Sequence, residues 1–271
     1  LAPALAAGNG VVIKPASDSP VTGGLLPAKI FEEAGVPKGL VNVTVGSGSE
    51  IGDYFVGHAI PSFISFTGST PVGKNIASQA MSGEKIKQVA LELGGNSPFI
   101  VLADADIEEA AHALIVSKFM HSGQICMAAN RAIVVESVFD EFVDKVVERV
   151  KKLVSGDPAD EQTVIGPIIN QKQTDQIEKM IQQAQESGAE FLVEGTIEGQ
   201  VIEPFVLVSE DPTLEIFHEE IFGPVLPILK VKDTQAAIEA ANDTEYGLSS
   251  ALFTKDLNQG RIIANKIESG M

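Results

Sequence analysis

"GVVIKPASDSPVTGGLLPAKIFEEAGVPKGLVNVTVG", residues 10–46, decides the fold class. It opens with a short β-branched run that Pro15 ends, since proline gives a strand no N–H. "GLLPAKIFEEAG" then reads as a helix, closed by Gly35 and Pro37. "LVNVTVG" is a second strand. The rhythm continues outward: a short helix "SEIGDYFVGH", a strand "SFISFTGS", a helix "PVGKNIASQAM" and a strand "KQVALELGG". Strands alternating with helices at this spacing predict right-handed crossovers and a mostly parallel sheet covered on both faces. No sequence repeat underlies it.

After "LELGGNSP" the pattern restarts. "PFIVLADAD" reads as a strand, "IEEAAHALIVSKF" as a helix and "RAIVVES" as a strand. In "VFDEFVDKVVERVKKLV", Phe139, Phe142, Val143, Val146, Val150 and Leu153 form one apolar stripe at helical spacing. Ser137 is expected to cap this helix, with Asp140 three residues on. "NQKQTDQIEKMIQQAQESG" is a polar-faced helix ending at Gly188. Short strands including "EEIFGPVLPILKV", a helix "TQAAIEAAN" and a strand "SSALFT" complete a second α/β unit. The fold class is therefore α/β: a parallel, doubly wound sheet followed by a second α/β domain. The joint falls in 94–98, which divides the chain into 1–95 and 96–271.

Composition narrows the function. Of 271 residues 44% are apolar, enough for an ample core. The 37 acidic and 19 basic residues give a net charge of −18, which disfavours nucleic acid and anionic membrane surfaces. No apolar run is long enough to span a bilayer, and no leader pattern opens the chain. A single cysteine excludes an internal disulfide framework and a cysteine-cluster metal site. A reducing, cytoplasmic setting is the expectation. The ends, "LAPALAAGNG" and "IESGM", suggest a segment of a longer protein.

Several residues stand out. Cys126 lies in "MHSGQICMAANR", among small and polar neighbours that leave room around the sulfur. A loop–helix junction there would supply N–H groups that favour thiolate; a buried cysteine acting as a small hydrophobe is the plain alternative. Glu92 sits in the apolar run "VALELGG". Desolvation there would raise its pKa and suit a general base, unless it faces water at a strand edge. Gly68 and Ser69 of "FTGSTPVGK" lie where a strand meets a helix start, with Gly73 one turn in. Free amides and the helix dipole suit a pyrophosphate there, and a structural turn is equally compatible. Lys14 ends the first strand, on the side of a doubly wound sheet where ligands bind, or is simply solvated. Gly46, Gly48 and Gly52 do not keep the dinucleotide spacing. His58, His112, His121 and His218 show no metal-ligand spacing, so no metal is assigned.

"GNGVVIKPAS", "FTGSTPVG", "LELGGNSP", "GQICMAANR" and "EEIFGPVLP", in this order, resemble the NAD(P)-dependent aldehyde dehydrogenase superfamily over nearly the whole chain. The stretch from Lys14 to Gly46 looks most like the benzaldehyde and vanillin dehydrogenase branch. The resemblance implies a partial dinucleotide-binding domain in 1–95 and a catalytic domain in 96–271. It implies Cys126 as nucleophile and Glu92 as general base. It puts NAD or NADP on Lys14, Ser17, Thr67, Gly68, Ser69, Leu93, Glu220 and Phe222. The implied partner is a small aldehyde, aromatic first, oxidised through a thiohemiacetal and a thioester. The whole protein is then expected to be a homodimer or homotetramer.

Two departures matter. The family commonly has an acidic residue three positions after the ribose-binding lysine, and this chain has Ser17. Loss of that repulsion implies tolerance of NADP. The family's oxyanion asparagine belongs to a motif absent from 1–271; Asn9 and Asn96 lie in other contexts. Residues 1–271 alone are therefore expected to be inactive. A coenzyme A-acylating relative and a non-catalytic relative are the alternatives. Glu92 counts against the first, and joint retention of Cys126, Glu92, Lys14 and Phe222 against the second.

Overall fold

The computed structural model describes residues 1–271, and the chain divides into two compact units, Leu1–Leu93 and Gly94–Met271. The first unit contains α1 (Ala2–Ala6), β1 (Val11–Ile13), α2 (Leu26–Glu33), β2 (Val41–Val43), α3 (Gly48–Gly57), β3 (Phe63–Thr67), α4 (Thr70–Ser82) and β4 (Gln88–Glu92). β1 pairs with β2 and β3 with β4, both parallel, with Val11 opposite Val41 and Thr67 opposite Glu92. The strands alternate with helices, as the sequence rhythm implies. They form two separate pairs and not one continuous sheet.

Local chemistry explains the connections. Pro15 ends β1, and a wide π turn over Val21–Leu25 leads into α2. Gly24 packs on Pro15 so closely that a Cβ there would lie 2.8 Å from the proline ring. Ser47 caps α3 by accepting the Glu50 N–H at 3.2 Å. Lys87 is 5% exposed and donates to the carbonyls of Val56 and His58, satisfying acceptors that the end of α3 leaves open. The core of this unit is small: Val56, Ile64 and Ile76, backed by Phe66, Val89 and Leu91.

The second unit is built on β5 (Pro98–Val101), α5 (Ile107–Phe119), β6 (Arg131–Val135), α6 (Glu136–Val150), α7 (Gln171–Glu186) and β7 (Glu190–Val193). It continues through a short hairpin of β8 (Ile197–Glu198) and β9 (Val201–Ile202), then β10 (Phe205–Ser209), β11 (Val225–Val231), α8 (Thr234–Asn242), β12 (Ala251–Phe253) and α9 (Leu257–Ala264). Six strands form one sheet in the order β12-β5-β6-β11-β10-β7. All neighbours are parallel except β7, which runs antiparallel at the edge.

Side-chain alternation sends each strand's residues to opposite faces. Phe99, Ala132, Val134 and Leu226 join α5 and α6 through Leu114, Phe119, Phe142 and Val146. On the other face, Ile100, Ile133 and Val135 meet Ala237 and Ile238 of α8 and Ile263 of α9. Phe205, Leu207 and Leu229 pack with Ile177, Met180 and Ile181 of α7. Burial on both sides is why these strands read as continuous apolar runs.

The apolar stripe of α6 is buried from Phe139 to Val150. Its expected cap is not there: α6 begins at Glu136, Val135 occupies the capping position, and no side chain caps it. β6 runs straight into the helix, so Ser137 falls inside the first turn.

Candidate functional site

α5 ends at Phe119, and a tight turn over Met120–Gly123 leads to the cysteine. His121 and Ser122 both have φ of 58° and Gly123 has φ of 74°, so three successive residues are left-handed. Such conformations cost roughly 1–3 kcal/mol each outside glycine and persist only when neighbours enforce them. Here the Ser122 hydroxyl donates to the Gly166 carbonyl at 3.0 Å. The Gln124 amide accepts the Ile169 N–H at 2.9 Å and donates to the Pro167 carbonyl at 3.3 Å. Gly123 abuts the backbone of Gly223, where a Cβ would collide with the carbonyl.

Cys126 follows, half-buried and with a free thiol. It does not open a helix: the chain continues through a turn and extended residues into β6. The helix N-terminus expected to favour thiolate is therefore not behind the sulfur, because the neighbouring helix comes before the cysteine and ends there. The Cys126 carbonyl accepts from the Ser97 hydroxyl at 3.5 Å. It also lies so near Gly95 that a Cβ there would sit 2.6 Å away.

A buried amide pair ties this segment to the 219–221 loop. Asn130 donates to the Asn96 side-chain oxygen at 2.6 Å and to the Glu219 carbonyl at 2.7 Å, and accepts the Ile221 N–H at 3.0 Å. Asn96 donates in turn to the Phe217 carbonyl at 2.9 Å and the Thr244 hydroxyl at 3.2 Å. The Asn96 amide is thus fully engaged in structure. The anchored loop carries Glu220, whose carboxylate accepts the Gly95 N–H at 3.1 Å. The carboxylate also occupies space that a Cβ at Gly94 would need, with 2.5 Å between them. Phe222 follows at φ of 54°, a strained position for an aromatic residue.

The second unit also buries a lysine. Lys118, in the last turn of α5, is 1% exposed. Burial pushes its ammonium down to about 7, opposed by the negative charge of Glu220. Burial likewise raises the Glu220 carboxyl, opposed by the Gly95 N–H and then by Lys118. Tyr246, beside the same carboxylate, is raised by burial and then by Glu219 and Glu220.

In the first unit, Lys14 follows β1 and is half-buried; its ammonium donates to the Pro15 carbonyl at 2.7 Å and the Gly46 carbonyl at 3.5 Å. It thus joins the carboxyl ends of β1 and β2. Ser17 is exposed in the turn that follows. Thr67, Gly68 and Ser69 are exposed at the junction of β3 and α4, and the Gly68 N–H donates to the Glu92 carbonyl at 3.0 Å. α4 has no side-chain cap and no acidic residue in its first turn. Its opening amides and dipole can therefore receive an anion. Gly73 is buried beneath Leu93, whose side chain would collide with any Cβ there. Its lack of a side chain serves that packing.

Glu92 corrects a sequence expectation. Within this unit it is exposed: β4 alternates outward at Gln88, Ala90 and Glu92 and inward at Val89 and Leu91. The burial inferred from apolar neighbours in sequence is absent, because Val89 and Leu91 point to the opposite side of the strand and Ala90 is itself exposed.

Lys118, Asn130 and Gln124 escaped the sequence reading. A lysine inside the apolar run "ALIVSKF" was the available signal for the first. The two amides carry no periodicity, and only their partners distant in sequence reveal them.

The profile of the Aldehyde dehydrogenase family matches residues 1–271. A vanillin dehydrogenase of Corynebacterium glutamicum is 54% identical over 271 residues, covering all of this chain and 56% of that protein. The benzaldehyde dehydrogenase YfmT of Bacillus subtilis is 49% identical over the same span, 56% of its length. The crystal structure of an NAD-dependent benzaldehyde dehydrogenase from Corynebacterium glutamicum superposes with a TM-score of 0.96 at 54% identity, over all of this chain and 58% of that one. An NADP-dependent glyceraldehyde-3-phosphate dehydrogenase from Bacillus halodurans, complexed with NADP, gives 0.95 at 39% identity, with 100% and 56% covered. The chain thus spans little more than half the length of these relatives. With the five motifs in order and the match running from the first residue to the last, the chain belongs to the aldehyde dehydrogenase family.

Proposed function

We propose that the whole protein carrying these residues oxidises an aldehyde, aromatic aldehydes foremost, to the carboxylic acid with NAD or NADP. The observation that carries this reading is the setting of the chain's single thiol. Cys126 lies half-buried three residues after a turn that side chains and glycine contacts force into a strained backbone, and in the same unit as a loop that holds a half-buried carboxylate. Strain maintained at a nucleophile is a mark of a preorganised site.

The chemistry follows from the residue types. The Cys126 thiolate adds to the aldehyde carbon and forms a tetrahedral thiohemiacetal. The nicotinamide group, when bound, accepts hydride from that carbon. The remaining thioester is hydrolysed by water that Glu92 deprotonates; an exposed carboxylate can collect water from solvent. Lys14, Ser17, Thr67, Gly68, Ser69 and Leu93 would hold the adenosine and pyrophosphate portions. The uncapped start of α4 fits an anion, and the lysine fits ribose hydroxyls or phosphate. Glu220 would accept hydrogen bonds from the nicotinamide ribose, with Phe222 beside the ring. Similarity to a vanillin dehydrogenase and a benzaldehyde dehydrogenase favours the aromatic class.

The test uses the whole protein with benzaldehyde-type, short aliphatic and semialdehyde substrates, following NAD(P)H absorbance. Cys126→Ser should abolish turnover. Glu92→Gln should keep a first-turnover burst of NAD(P)H and slow the steady state at least about 100-fold. Acid release without coenzyme A separates this reaction from acyl transfer to a thiol. Full turnover by the Cys126→Ser protein would refute the assignment.

A further inference from the structure

We propose that Asn130 is a positioning residue for the cofactor: its buried amide clamps the backbone on both sides of Glu220 and so holds that carboxylate in place before the nucleotide arrives. The inference rests on the reading of Glu220 as a cofactor contact and extends it to a side chain that no cofactor atom need touch.

Asn130 is 4% exposed, and its side chain donates to the Glu219 carbonyl at 2.7 Å and accepts the Ile221 N–H at 3.0 Å. One amide therefore grips the residue before Glu220 and the residue after it. It also donates to the Asn96 side-chain oxygen at 2.6 Å, and Asn96, 1% exposed, is fixed in turn by the Phe217 carbonyl and the Thr244 hydroxyl. The nitrogen and the oxygen of the Asn130 amide are both engaged, and a satisfied buried network specifies one arrangement. With the backbone held, the Gly95 N–H at 3.1 Å fixes one oxygen of the Glu220 carboxylate. Phe222 keeps its φ of 54° directly after the clamped residues, a conformation that persists only where neighbours enforce it. A loop ordered in advance binds its ligand without the cost of ordering it. The clamp is separate from the supports of the thiol. The Asn130 N–H donates to the Ser97 carbonyl at 3.2 Å, while after Cys126 the Ala128 N–H donates to the Ile125 carbonyl at 3.0 Å and the Ala129 N–H to the Ser117 hydroxyl at 3.2 Å. Loss of the Asn130 amide therefore disturbs the loop that carries Glu220 and leaves Cys126 in place.

The experiment compares Asn130→Ser, Asn130→Asp, Glu220→Gln and the double variant Asn130→Ser/Glu220→Gln in the whole protein. Serine removes the amide; aspartate keeps an acceptor for Ile221 and offers no donor to the Glu219 carbonyl. NADH binding is followed by the nucleotide's own fluorescence, alongside steady-state kinetics, iodoacetamide labelling of Cys126 and melting temperature. Both Asn130 variants should raise the NADH Kd and the cofactor KM about tenfold, while the aldehyde KM and the cofactor-free labelling rate stay within about twofold. A merely structural role would move all four together with the melting temperature, and that result overturns the proposal. The double variant should bind NADH no more weakly than Glu220→Gln alone, since one interaction is lost in both. Hydrogen exchange on the unsubstituted protein does not depend on any variant folding: the Ile221 amide should be protected to within about twofold equally with and without NADH. Protection gained only when NADH binds also overturns the proposal, because the clamp would not then order the loop in advance. Weakened NADH binding by Glu220→Gln, with unchanged binding by both Asn130 variants, refutes the role of Asn130, as does strict additivity in the double variant. Normal NADH binding by Glu220→Gln refutes the reading of Glu220 and takes the proposal with it, a result distinct from either of those.

Discussion

Lys118 sits where a hydrophobic residue would fold more easily. Its ammonium falls from 10.5 to about 7 through burial, with Glu220 opposing. Below about pH 7 the folded and unfolded chains both bind this proton, so the full cost of burying the charge is present. Between 7 and 10.5 the unfolded chain binds more protons, and stability rises with pH. Lys118→Met should therefore stabilise the protein by about 2 kcal/mol at pH 6, and the gain should fade toward pH 10. Chemical denaturation across that range measures it; a loss of stability at pH 6 would mean that the pair is net favourable. Ser17 is a second single-residue test. A carboxylate at this exposed position would repel a 2′-phosphate, so Ser17→Glu should shift preference from NADP toward NAD by about tenfold, measured as the ratio of the two kcat/KM values.

At the scale of elements, α6 separates periodicity from capping. Its buried stripe should make Phe142→Ala cost about 3–5 kcal/mol. Ser137→Ala should change stability by less than about 0.5 kcal/mol, because the hydroxyl caps nothing. Asn170 does cap α7, its side-chain oxygen accepting the Gln173 N–H at 3.0 Å, so Asn170→Ala should cost about 1 kcal/mol. Urea unfolding of the three variants ranks them. The same contrast explains what was legible in the sequence. Phe139, Phe142, Val143, Val146 and Val150 repeat at the helical period, and β6 is apolar on both faces, so both elements could be read directly. The start of α6 could not, because a strand running directly into a helix leaves no turn signal. Likewise, "MHSG" contains one glycine, yet His121 and Ser122 are left-handed as well. Contacts to Gly166–Ile169 impose that backbone, and a local reading cannot see them. The nucleophile candidate was visible as the only cysteine; the amides of Gln124, Asn96 and Asn130 that brace its surroundings were not.

Across the whole chain, the two units differ in how much apolar surface they remove from water. Leu1–Leu93 has Val56, Ile64 and Ile76 as its buried cluster. Many large apolar side chains in it stay exposed, among them Tyr54 at 74%, Ile60 at 83% and Ile86 at 81%. Gly94–Met271 packs three clusters on the two faces of one six-stranded sheet. Local opening free energy follows buried apolar contact, so it should be low in the first unit and approach the global value in the second. Hydrogen exchange on residues 1–271 should show this. Amides of β1 to β4 are expected to exchange at least about 100-fold faster than those of β5, β6 and β11, which corresponds to a gap of roughly 3 kcal/mol. Limited proteolysis of the same chain should cut first within 1–93 and leave 94–271 as the resistant product. Equal protection in both units would mean that the first unit draws stability from more than its own small core. The same comparison in the whole protein gives the complementary result: slower exchange in β1 to β4 there than in the 271-residue chain would show that chain outside these residues covers the apolar surface that 1–93 leaves open.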